Sequence, residues 1–244
     1  MPDPVNQSGL QAVDGPWRRL GALLWPARCL ACGETGGGGH DLCPPCRAAL
    51  PWNHAACIRC ALPLPASDGR ATCGGCMRRP PPLDLVRSAC LYGAPLDRWL
   101  PRFKFHHDLA AGRLLAQLLA EACAYAPRPQ AVVPVPLHRA RLRQRGYDQA
   151  LELARPLAHA FDLPLRPRLL QRVHPTAPQS ELSAAARRRN LRGAFVVDSV
   201  AAQPAHVVLV DDVMTTGATL HAAARALRRA GVARVDAWVC ARVP

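Results

Sequence analysis

Eight of the chain's eleven cysteines fall in four CxxC pairs packed into residues 29–76: CLAC (Cys29, Cys32), CPPC (Cys43, Cys46), CIRC (Cys57, Cys60) and CGGC (Cys73, Cys76). A two-residue gap lets both thiolates of a knuckle reach one ion at about 2.3 Å, and two knuckles close a tetrahedral shell of sulfurs. Two such sites follow by arithmetic. The simplest pairing joins Cys29, Cys32, Cys43 and Cys46, then Cys57, Cys60, Cys73 and Cys76; crossed pairing of the knuckles also satisfies the spacing. Neither site leaves a position for water, so both read as structural Zn²⁺ sites. A segment with this little apolar surface draws much of its folding energy from the metal. Iron–sulfur ligation is the lesser alternative, and a redox dithiol would not require four pairs. Cys90, Cys123 and Cys240 lie outside the pattern and read as small buried hydrophobes.

The remaining length supports a larger domain. Of 244 residues, 50% are hydrophobic, enough for one substantial core plus a satellite. Residues 1–26 read as a disordered or leader segment, 27–80 as a cysteine-rich double zinc ribbon, and 85–243 as an α/β domain, with RPPPLD (79–84) as the hinge. No run approaches the roughly 18 apolar residues of a membrane span, and no cleavable signal pattern leads the chain, so a cytoplasmic location is expected.

The charge is strongly basic, with 31 Lys+Arg against 17 Asp+Glu for a net +14, and Lys104 is the single lysine. Arginine's planar fork suits phosphate, so polyanionic partners fit; biased codon usage in an Ala-, Arg- and Pro-heavy chain is the competing account of the overall charge. Aromatic residues make up only 5%, few for the stacking platforms of a dedicated single-strand binder. Trp17, Trp25 and Trp52, near the knuckles, are the exceptions.

Beyond residue 85, helical and strand patterns alternate. LAAGRLLAQLLAEACAY (109–125) reads as an amphipathic helix and AVVPVPL (131–137) as a strand running into a loop. QALELARPLAHAF (149–161) reads as a helix that Pro156 should kink or break. GAFVV (193–197), AHVVLV (205–210) and RVDAWVCA (234–241) read as strands, with a helix from Thr219 to near Gly231. This alternation predicts an α/β fold with a mainly parallel sheet flanked by helices, and runs such as VVLV suit strands covered on both faces.

Ligands of open α/β sheets bind beyond the carboxyl ends of strands, where Asp211 and Asp212 stand. The turn TTGAT then opens a helix, offering backbone N–H groups, hydroxyls and the positive end of a helix dipole to an anion. Gly217 permits the tight turn. The acids suit sugar hydroxyls or magnesium and the turn suits phosphate, so a phosphorylated sugar meets both demands. An N-cap cluster alone explains one Asp or one Thr, not this whole set. In KFHHD, adjacent His106 and His107 are poor geometry for one ion, and Asp108 reads as the start of a helix with exposed imidazoles.

VVLVDDVMTTGAT (207–219) resembles the 5-phosphoribosyl 1-diphosphate (PRPP) motif of type I phosphoribosyltransferases. VPVPLHRARLRQRGYDQA (133–150), QSELSAAARRRNLRGAF (179–195) and LDLVRSACLYGAPL (83–96) resemble further signature blocks of the ComF family, which comprises competence protein F and GntX-like relatives. The resemblance spans residues 27–243. It implies a type I phosphoribosyltransferase-like domain behind zinc ribbons, with Asp211 and Asp212 on the ribose hydroxyls. Thr215, Thr216, Gly217, Ala218 and Thr219 would hold the 5′-phosphate, and the loop at Pro136 and Leu137 would lie by the diphosphate and its Mg²⁺. PRPP or a nucleotide monophosphate is the implied ligand. The family is also linked with natural transformation, which brings in single-stranded DNA and the competence machinery as candidate partners. Tyr147 and Asp148 replace the Phe and Asn of the family block.

No Ser–His–Asp or Cys–His set is present. A phosphoribosyl transfer needs none, because loss of diphosphate demands positioning and charge stabilisation. Asp211, Asp212 and Arg145 are therefore the catalytic candidates. Arg139, Arg141, Arg143, Arg187, Arg188, Arg189 and Arg192 are candidates for contacts with diphosphate or nucleic acid. The rival expectation is a non-catalytic PRPP-sensing module that binds single-stranded DNA or a competence partner.

Overall fold

The computed structural model describes residues 28–37, 41–65, 71–173, 193–198 and 203–244. Residues 1–26 and Arg187, Arg188, Arg189 and Arg192 lie outside the described residues. The chain divides into two compact units, one ending at Ala49 and one beginning at Leu50. The first contains the short helix α1 (Pro44–Ala48) beside its four-cysteine cluster, and Leu42 is its one buried non-cysteine hydrophobe among the described residues.

The second unit holds the other four-cysteine cluster, the short helix α2 (Gly74–Arg78) and the α/β fold. Its elements run β1 (Val86–Leu91), α3 (Leu96–Phe105), α4 (Leu109–Cys123), β2 (Ala131–Pro134), α5 (Arg139–Arg145), α6 (Gln149–Ala160), β3 (Leu170–Arg172), β4 (Phe195–Val197), β5 (His206–Met214), α7 (Ala218–Arg229) and β6 (Arg234–Arg242). Four strands form a fully parallel sheet in the order β1-β6-β5-β2. Helices α4 and α6 pack on one face, and α7 packs on the other. The apolar runs of β2 and β5 are buried: Val132, Val133, Val207, Val208, Leu209 and Val210 are each 0% exposed.

Several elements differ from their sequence-based expectations. The strand GAFVV is not part of the main sheet; Phe195–Val197 pairs antiparallel with Leu170–Arg172 in a separate two-stranded ribbon. Helix α6 runs unbroken through Pro156, because that residue lies on the exposed face. The carbonyl that loses its N–H partner there can be hydrated. The end of the 79–84 segment is packed: Leu83 is fully buried, and the Asp84 carboxylate binds Arg228, Arg59 and the Val235 N–H, while Arg79 and Pro80 are exposed.

Helix α3, anchored by its buried Trp99, Leu100 and Phe103, brings its C-terminal turn to the carboxyl end of the sheet. Its close approach to α4 depends on Gly112, where a Cβ would stand 2.4 Å from the Phe103 ring. Asp108 caps α4 by accepting the Ala111 N–H at 3.0 Å, and His106 and His107 are exposed as expected.

Candidate functional site

Strand β5 continues past the acids to Met214, so Asp211 and Asp212 lie within it rather than just beyond it. Its partner β2 stops earlier, at the Pro134–Val210 pair, while β6 stays paired as far as Met214–Arg242. The acids therefore sit where one flank of β5 has opened. A cavity of about 430 Å³ occupies that opening. Asp211, Asp212, Thr215 and Thr219 line one part of it, and Pro136 and Leu137 another.

Four cations also line this cavity: Lys104, Arg141, Arg145 and Arg172. Arg141 and Arg145 lie four residues apart on α5, hence on one helix face, whereas Arg139 and Arg143 point to solvent. The arginine run is carried on this short helix, capped by His138 accepting the Ala140 N–H at 3.3 Å. Arg145 donates to Gln149 Oε1 at 2.9 Å and lies 5.0 Å over the Phe105 ring. Burial lowers the pKa of Arg172 to about 10 and, together with the charge of Arg145, also lowers that of Arg141. The wall is electropositive at a cost, and an anionic ligand would relieve it.

Burial, reinforced by the charge of Asp212, raises the Asp211 carboxyl to about 7; Lys104 pulls in the opposite direction. Lys104 Nζ stands 2.9 Å from Asp212 Oδ2. Burial works against the ammonium, but Asp212 and Asp211 outweigh it and the lysine is raised. The sequence signal for Lys104 as a site residue was available: a chain that uses arginine everywhere else keeps one lysine. Periodicity could not show that α3 aims it at the acids.

The turn after β5 is tightly made. Gly217 has φ +73°, and a Cβ there would meet Met214 at 2.5 Å and the His221 ring at 3.1 Å. Thr215, Gly217, Ala218 and Thr219 line a small niche with Asp211 at the start of α7. Thr216 lines neither cavity, and its hydroxyl accepts the Ala218 N–H at 3.4 Å. Asp148 serves as a scaffold: its two oxygens accept the N–H groups of Leu137 and Leu151, each at 3.2 Å. That ties the Pro136–Leu137 loop to the start of α6.

The cysteines gather in sequential pairs of knuckles. The Sγ atoms of Cys29, Cys32, Cys43 and Cys46 all lie within 4.8 Å of one another, as do those of Cys57, Cys60, Cys73 and Cys76. Tetrahedral zinc with bonds of about 2.3 Å sets ligand sulfurs roughly 3.8 Å apart. The Cys32–Cys43 and Cys60–Cys73 separations are both 3.7 Å, so the residues present fit zinc. Cys90, Cys123 and Cys240 are buried and belong to neither cluster, and burial raises each thiol.

A parallel sheet with an acid pair and a glycine turn at its carboxyl edge, joined to two four-cysteine clusters, defines a phosphoribosyltransferase-like protein with a double zinc ribbon. Family models agree: a double zinc ribbon domain matches residues 20–90 and a phosphoribosyl transferase domain matches 148–244. The chain is 36% identical over 227 residues to the DNA utilization protein YhgH of Salmonella typhi, covering 90% of this chain and 99% of that protein. It is 35% identical over 224 residues to competence protein F of Haemophilus influenzae, covering 88% and 96%. Competence protein ComFC of Bacillus subtilis is 29% identical over 151 residues, 60% of this chain and 59% of that protein. The chain belongs to the ComF/YhgH family. No helix among the described residues is long and apolar enough to cross a membrane.

Proposed function

We propose that this protein binds PRPP with Mg²⁺ in the cavity beside β5 and transfers its phosphoribosyl group with release of diphosphate. The observation that carries this reading is the meeting of Asp211 and Asp212 with a cationic wall in one cavity, beside the niche at the Gly217 turn with which it shares Asp211, Thr215 and Thr219. The carboxylates accept hydrogen bonds from the ribose hydroxyls. The 5′-phosphate takes the opening turn of α7, where the dipole and backbone N–H groups favour an anion. The diphosphate lies along Pro136 and Leu137, with Arg141 and Arg145 opposing its charge.

When bound, magnesium would supply charge neutralisation for the diphosphate oxygens. The loop at Pro136 and Leu137, fixed by Asp148, is where that group would lie. In the transfer the C1′–O bond breaks, its electron pair leaves on diphosphate, and an acceptor forms the new bond to C1′. The arginines are placed to stabilise the growing negative charge. Structural zinc in both cysteine clusters completes the reading, together with a role in competence or DNA uptake.

A second reading, a PRPP-sensing module that handles single-stranded DNA, draws on the +14 net charge and on relatives named for DNA utilization and competence. Calorimetry with Mg–PRPP, beside an Asp211→Asn/Asp212→Asn double variant, tests the site that both readings share. Binding that the variant loses supports it, and heat-silent wild type sinks it. Diphosphate release dependent on one particular base then favours the enzyme, while salt-sensitive DNA binding without turnover favours the module.

A further inference from the structure

Lys104 is the single lysine among 31 basic residues, and the fold delivers it to the acid pair. Its side chain is 22% exposed, with Nζ 2.9 Å from Asp212 Oδ2. Its backbone is tethered as well: Gln149, 2% exposed, donates through Nε2 to the Lys104 carbonyl at 3.5 Å. The same amide accepts from Arg145 through Oε1 at 2.9 Å. One buried glutamine therefore sets two cations of the cavity at once. An ammonium on a four-carbon stem can swing between acceptors, whereas a guanidinium fork is committed to a planar pair.

If ribose hydroxyls are to hydrogen-bond to Asp212, the ammonium that now occupies Oδ2 must share or give up that oxygen. The anion within the same cavity that can receive it is the ligand's diphosphate. We propose that Lys104 is an exchange cation: it is the counter-ion of Asp212, and it passes to the diphosphate of PRPP as the ribose takes the carboxylate. This inference rests on the PRPP reading above. No covalent bond is made or broken in the exchange; the lysine stays protonated and changes partner, so the protein's own charge is the same in both arrangements. Arg145, held by Gln149, is the fixed cation against which Lys104 moves.

The test compares wild type with Lys104→Met and Lys104→Arg by calorimetry against three ligands: Mg–PRPP, Mg–diphosphate and ribose 5-phosphate. Loss of one charge-assisted contact predicts about tenfold weaker binding of both diphosphate ligands by Lys104→Met. Ribose 5-phosphate, relieved of a competitor for Asp212, should bind as well as to wild type or more tightly. Lys104→Arg, with charge but a longer planar head, should not restore the diphosphate ligands fully.

Parallel weakening of all three ligands would reduce Lys104 to a structural residue and overturn the exchange, as would unchanged binding of all three. Wild type that binds none of them would instead remove the PRPP site itself. A second readout covers the case of a variant that misfolds. Reductive ¹³C-methylation gives one lysine signal in the wild-type protein, which Mg–diphosphate should shift and which must move again when Mg–PRPP binds. A signal that stays fixed while Mg–PRPP binds would overturn the proposal.

Discussion

The two cysteine clusters share ligand type, knuckle spacing and sulfur separations, yet they hold different positions in the fold's energetics. Around the first, the described residues bury little besides Leu42, Asp41 and two of the cysteines, Cys29 and Cys43, so a bound ion would be in effect the core. The second is continuous with the α/β core: Ala61 and Leu83 are fully buried members of it, and Cys60 packs against it. The Ile58 carbonyl accepts the Val86 N–H at 2.7 Å, and Arg242 donates from β6 to the Cys60 carbonyl at 2.9 Å. The same four-cysteine arrangement thus forms a small unit with little core of its own in one case and is built into the α/β core in the other.

The largest predicted difference follows directly. Cys57→Ser/Cys60→Ser should cost the unit from Leu50 onward its cooperative thermal transition, and PRPP binding with it. Cys29→Ser/Cys32→Ser should leave that transition and the affinity in place. Differential scanning calorimetry with zinc analysis on both variants decides this, since metal-site energy is folding energy where the site is built into a fold. Equal losses from the two variants would break the comparison.

This asymmetry was not legible in the sequence, where the four CxxC pairs look alike. The clusters themselves were legible, because thiolate spacing is a local property. So were the parallel sheet and the acid–turn–helix stretch, which rest on period and on short-range turn chemistry. What tertiary packing decides was missed: α3 and its lysine, the separate β3–β4 ribbon, and the burial of Leu83 in a stretch that reads as a hinge because of its prolines. Arg172 also escaped notice, since a lone arginine in LLQRV carries no pattern, yet it reaches the cavity from the short ribbon.

Arg242 offers a sharper cut through the same comparison. It is 9% exposed and donates to the Cys60, Met214 and Val243 carbonyls, joining the second cluster to the end of β5. Arg242→Met removes the donors and leaves buried acceptors, at about 2–3 kcal/mol. Because Met214 leads into the Gly217 turn, PRPP affinity should fall along with denaturant stability. Stability lost with affinity intact would detach the cluster from the site.

pH separates the site from the first cluster. Asp211, raised to about 7, must ionise to serve as a strong acceptor, so PRPP affinity should fall as pH drops below about 7, approaching tenfold per unit. The stability sign is opposite. An acid raised on folding makes the folded state bind more protons than the unfolded one between its ordinary value near 4 and about 7. Its contribution therefore stabilises the fold as pH falls through that window. The Cys29→Ser/Cys32→Ser variant should trace the same affinity profile as wild type; a displaced midpoint would show that the first cluster reaches the site electrostatically.

The smallest expected effect tests whether the second cluster is braced by many contacts or by a few. Arg59, inside the CIRC knuckle, donates to the Leu83 carbonyl at 2.8 Å and lies 3.6 Å from Asp84 Oδ1. Both side chains of that ion pair are about a third exposed, 34% and 32%, so solvent screens it and it contributes less than about 1 kcal/mol. Arg59→Ala should lower stability by about 1 kcal/mol in all, the Leu83 hydrogen bond included, with zinc content unchanged. Asp84 would keep Arg228 and the Val235 N–H, so the connection to β6 and α7 survives. Urea unfolding of Arg59→Ala beside Arg242→Met orders the two contacts. A loss from Arg59→Ala as large as from Arg242→Met would place the brace on the knuckle's outer side, away from the strand that carries the acids.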